Sequence, residues 1–104
     1  MAQPTELYRR EWTTDKGREI TVVSAGFNDD GSLRINGWDM GSTVEEIWGD
    51  DDYEYWIVIP PGEIPKLSIE LLRHAFNAEA PLRFSDLRKL CEEAGIEVEF
   101  GNWL

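Results

Sequence analysis

The seven residues Tyr53 to Ile59, YEYWIVI, constrain this chain more than any other segment. They are aromatic or β-branched almost throughout, and Pro60, Pro61 and Gly62 stop them abruptly, so they read as a strand. With a side-chain period of two, Tyr53, Tyr55, Ile57 and Ile59 point one way and Glu54, Trp56 and Val58 the other. Apolar residues on both faces predict a central strand, or a strand whose outer face meets a partner.

The remaining elements are placed around that strand. Glu6 to Thr13 reads as a first strand with poor alternation, and Asp15, Lys16 and Gly17 as a turn. Glu19 to Asn28 is β-branched at its start and predicts a second strand. Asn28, Asp29, Asp30 and Gly31 make a hairpin turn, with Gly31 suited to positive φ. Ser32 to Met40 returns, with Leu33 and Ile35 on one face. Gly37 and Gly41 mark a bulge or turn. Thr43 to Trp48 fits either a helical turn or a strand.

Beyond the prolines, Ile64 to Asn77 predicts a helix, with Pro65 in its first turn and an apolar stripe of Ile64, Leu67, Leu71, Leu72, Ala75 and Phe76. A second helix spans Asp86 to Ala94, capped by Ser85 and Gly95, with Leu87, Leu90, Cys91 and Ala94 on its stripe. Ile96 to Phe100 reads as a last strand with Ile96, Val98 and Phe100 inward. Trp103 and Leu104 pack on the core or on a second subunit, since chain ends fray unless tied down. The order is β-β-β-β-α-α-β. It predicts an α+β fold in a single domain, residues 1–104: a mainly antiparallel sheet of four to five strands with two helices on one face.

Charge bounds the function. Ten Lys and Arg stand against 21 Asp and Glu, a formal net charge of −11. Such a surface repels phosphate backbones and anionic membranes and favours a basic protein partner. No apolar run approaches the roughly 20 residues of a membrane span, and the N-terminal residues do not form a signal peptide, so the expected compartment is the cytoplasm. One cysteine, Cys91, allows no intramolecular disulfide. It lies on a helical stripe and reads as a buried, inert thiol. His74, the single histidine, lacks partners for a zinc site. Asp50, Asp52 and Glu54 start like a calcium loop, but Tyr55 stands where glycine is needed and Pro61 where the bidentate Glu belongs. No metal, cofactor or catalytic residue is expected, and the chain does not read as an enzyme.

The candidate site is acidic and aromatic. Glu45, Glu46, Trp48, Asp50, Asp51, Asp52, Glu54 and Trp56 fall close together, with Asp39 and Trp38 nearby. A block of like charge opposes folding by self-repulsion and so marks function. Tryptophan concentrates interface energy and accepts cations on its ring face. The pattern fits either a surface that grips an Arg- or Lys-rich partner or a solvated acidic loop with its tryptophans in the core.

The runs GWDMGSTVEEIWGDDDYEYWIVIP and CEEAGIEVEFGNW, with the Leu-rich helix between them, resemble a group of small acidic bacterial proteins without assigned function. The resemblance covers the chain from about Leu33 onward and implies no catalytic residues. In size and charge the chain is also similar to bacterial immunity proteins, which implies occlusion of a basic partner such as a nuclease. Two other readings stand beside it: a structural homo-oligomer in which the acid serves solubility, and a small metal-dependent hydrolase.

Overall fold

A computed structural model describes the backbone of residues 3–48 and 52–103 and, except at 46–48, their side chains. Five strands form one sheet: β1 (Thr5–Thr14), β2 (Gly17–Phe27), β3 (Leu33–Gly41), β4 (Asp52–Ile59) and β5 (Glu99–Trp103). They lie side by side in chain order, every neighbouring pair antiparallel. Among the described residues three α-helices accompany them: α1 (Ser42–Trp48), α2 (Ile64–Asn77) and α3 (Phe84–Ala94). The expected α+β architecture holds, and the last strand joins the free edge of β4.

The hairpin between β2 and β3 forms as its sequence requires. Asn28 N–H donates to Ser32 O at 2.9 Å and Gly31 N–H to Asn28 O at 3.0 Å. Gly31 takes φ +87°, which a side chain would resist. Asp30 accepts from both the N–H and the hydroxyl of Ser32; these bonds hold its carboxyl below the usual pKa.

Helices α2 and α3 cover one face of the sheet. Val23, Ile35, Ile57 and Ile59 meet Leu67, Phe84, Leu87, Cys91 and Ile96 in a single core. Ile57 and Ile59 are fully buried, so the odd residues of YEYWIVI face the helices as the alternation predicts. Burial pushes the Cys91 thiol pKa up, consistent with an inert side chain.

Several sequence expectations are corrected. Leu72, Ala75 and Phe76 do not join the buried stripe of α2; Phe76 is 87% exposed. The helix meets the sheet along Ile64, Leu67 and Leu71, a stripe narrower than its apolar content suggests. Helix α3 begins at Phe84, with Arg83 rather than Ser85 at the N-cap. The Asp86 carboxylate, three residues on, accepts the Arg83 N–H at 3.0 Å. The last strand starts at Glu99, not Ile96. Ile96 is buried immediately after the α3 C-cap Gly95, where its N–H bonds Cys91 O at 2.9 Å, so helix capping claims that backbone before pairing can begin. Thr43 to Trp48 is helical. Gly37 marks no bulge: it pairs regularly with Tyr55, and the register shift lies between Glu6 and Tyr8. Among the described residues, no helix is long and apolar enough to cross a membrane.

Candidate functional site

Of the predicted acidic and aromatic residues, Asp52, Glu54 and Trp56 lie on the sheet, on the face turned away from the core. Asp52, Glu54 and Trp56 alternate along β4 on the side opposite Ile57 and Ile59. Glu54 pairs with Trp38 of β3 on one side and Trp103 of β5 on the other. One row across the sheet thus reads Arg9, Val22, Trp38, Glu54, Trp103. Directly opposed side chains in such a row stand about 4.5–5.5 Å apart at Cβ, so Glu54 is flanked on its own sheet face by two tryptophan residues. Glu54 is exposed and Trp103 is 69% exposed; Trp38 is half-buried. The sequence expected the Trp103 end to be packed away. Its backbone is held in β5, and its ring is open.

Trp56 occupies the next row. It lies over Gly101, where an added Cβ would come within 2.5 Å of the ring. The Arg34 guanidinium sits 4.5 Å from the centroid of the same ring, and Arg34 Nε donates to Asn36 Oδ1 at 2.8 Å. The face already makes one internal contact of the cation-on-indole kind expected for a partner. Glu45 is exposed on α1. Asp50 and Asp51 lie outside the described residues, as do the side chains of Glu46 and Trp48. Among the described residues, no group of three His, Cys, Asp or Glu is placed to hold a metal ion.

A second site, missed at the sequence level, opens on the helix-covered face where α2 and α3 leave the sheet bare. It is a pocket of about 430 Å³. Asp39 of β3 lies in it and accepts two hydrogen bonds on Oδ1, from Thr21 Oγ1 at 2.9 Å and Tyr55 OH at 2.8 Å. Tyr55 packs edge-on against Phe84 with ring centroids 4.6 Å apart, which fixes the phenol. Three arginines line the pocket: Arg10 from β1, Arg83 before α3 and Arg88 within α3. The Arg10 guanidinium stacks 4.7 Å from the Trp12 centroid and that of Arg88 3.8 Å from Phe100. These residues come from all five strands, from α3 and from Arg83 just before it. Arg10 and Trp12 share a strand face by their spacing, but nothing in the sequence gives the register that brings Asp39 and Arg88 to them.

Burial and the bond to Asp39, in that order, push the Tyr55 phenol far above the usual tyrosine range. The unfolded phenol ionises near pH 10, while the folded one keeps its proton. The folded state then binds more protons, so stability is intact below about pH 10 and falls as pH rises beyond it. Urea denaturation at pH 9 and pH 11 is expected to show this loss, and Tyr55→Phe to make it smaller. An equal loss in both proteins would remove Tyr55 as a cause.

Compared with known protein families, curated proteins and solved structures, the chain matches none.

Proposed function

We propose that this protein is a binding domain whose outer sheet face takes a basic segment of a protein partner, occluding that segment as an inhibitor of a nuclease would. The observation that carries this reading is the placement of the exposed Glu54 between Trp38 and Trp103. A carboxylate with a tryptophan on each neighbouring strand can meet both needs of an arginine or lysine: charge pairing and cation–π contact. Asp52 stands two residues along the same strand face and extends the negative surface. The net charge of −11 adds long-range attraction for a basic partner and speeds encounter at low salt.

Asp52→Lys with Glu54→Lys places two cations beside the indoles without touching the core. A basic protein retained from nuclease-treated lysate by the wild type is expected to bind this variant at least tenfold more weakly, about 1.4 kcal/mol or more. Isothermal titration of the purified pair supplies the measurement. Equal affinity for both proteins overturns the site. A dimer in sedimentation that persists at high salt, and is lost in Trp103→Ala, would give the face to a second copy of this chain instead.

A further inference from the structure

The pocket on the opposite face of the sheet has a different chemistry, and we infer that it binds a mononucleotide: a planar ring bearing N–H donors, joined to a phosphate. The charge is the first reason. In a chain with 21 acidic residues, three of the ten basic ones line this single pocket against one carboxylate, Asp39. Among the described residues, none of Arg10, Arg83 and Arg88 is ion-paired. Guanidinium groups gathered without carboxylate partners repel one another, and a bound anion relieves that cost. Arg10 and Arg88 are also held against the Trp12 and Phe100 rings, so their forks lose little freedom on meeting a phosphate. Ser85, in the first turn of α3, lies on the same wall and adds the positive end of that helix to the field.

The walls supply the second reason. Tyr8 and Tyr53 give the pocket flat apolar surface on which a heteroaromatic ring stacks, beside the Trp12 and Phe100 rings that carry the two guanidiniums. Asp39 supplies the third. Both its internal bonds fall on Oδ1, which leaves the lone pairs of Oδ2 for the ring or exocyclic N–H of a base. A volume of about 430 Å³ lies in the range of small-molecule sites. The overall charge of −11 does not forbid this, because exposed charges farther than about 8–10 Å are screened at physiological salt. It disfavours a polynucleotide, whose further phosphates would run over the acidic surface.

The test titrates the intact protein with AMP, GMP, CMP and UMP, with the four nucleosides, and with inorganic phosphate. Calorimetry gives affinity, and the NMR signals of the Trp12 indole N–H and the arginine Nε–H report location. At least one mononucleotide is expected to bind and shift these signals, with its nucleoside and inorganic phosphate each at least tenfold weaker. Arg83→Gln and Arg88→Gln are each expected to weaken it tenfold or more. No binding of any mononucleotide at millimolar concentration overturns the inference. Unchanged affinity in both arginine variants, or a nucleoside or phosphate that binds as tightly as the nucleotide, does so as well. The Asp52→Lys, Glu54→Lys protein is expected to keep nucleotide affinity, which separates this pocket from the outer face.

Discussion

Gly37→Ala is expected to lower the unfolding free energy by about 3 kcal/mol or more, among the larger effects of a single methyl group in this protein. A Cβ at Gly37 would lie 1.8 Å from Cε2 of Tyr55 and 2.3 Å from its Cζ. The ring cannot simply swing away. Its hydroxyl donates to Asp39 at 2.8 Å, and its edge packs on Phe84. Strand β3 must therefore separate from β4, or Tyr55 must leave the rotamer on which the pocket floor depends. For a domain of this size the loss corresponds to a fall in Tm of roughly 12 °C or more. Gly62→Ala is the control: nothing lies within 4 Å of its added Cβ, so its effect is expected within about 0.5 kcal/mol. Pairing Gly37→Ala with Tyr55→Ala removes the clash, so the double variant is expected to be less unstable than the two single losses added together. Additive losses would mean that the glycine serves something other than the tyrosine ring.

The same pair of residues shows what could be read from the sequence and what could not. Alternation in YEYWIVI correctly divided β4 into a core face and an outer face, because a strand between two others has a fixed two-residue period. That division alone placed Glu54 and Trp56 together, and Asp52 joins them because β4 starts one residue earlier than YEYWIVI. It could not name their neighbours. Trp38 and Trp103 flank Glu54 only because β3 and β5 pair with β4 in one register, and a shift of one residue would have sent both rings to the core side. Gly37 looked like a bulge because a glycine within a strand has that meaning when its partner is unknown. Tyr55, its partner across β3 and β4, gives the real reason. The pocket was illegible for a related cause. Arg10, Asp39 and Arg88 are far apart in the chain, and each taken singly is an ordinary surface charge. Helix α2 was misread in the opposite direction. Its composition offers more apolar residues than the sheet can cover, so Leu72 and Phe76 remain outside. Hydrophobic residues at helical spacing predict a buried face, but the area of sheet available decides its width.

Ile57→Ala is expected to cost about 4 kcal/mol, within the range measured when a fully buried isoleucine is truncated. Ile57 has no exposed surface; it pairs with Ile35 of β3 and Phe100 of β5, with α2 and α3 above. The lost methyl groups leave a hole where two rigid layers meet, and strands paired on both sides cannot close on it. A domain of 104 residues has a total stability of about 5–15 kcal/mol, so this single change removes a quarter or more of it. Val58→Ala tests the same strand one residue along. Val58 faces outward and is half-buried, and its loss is expected to cost no more than about 1 kcal/mol. The contrast has a functional consequence. Both proposed sites hang on β4, Glu54 on one face and Tyr55 on the other, and a two-state domain loses both together when the strand is undermined. In urea, Ile57→Ala is thus expected to release partner binding and nucleotide binding at one common, lowered midpoint. Two separate midpoints would show that the helix-covered face can open while the outer face stays formed, and the pocket would then have to be treated as an independently folding part of the molecule.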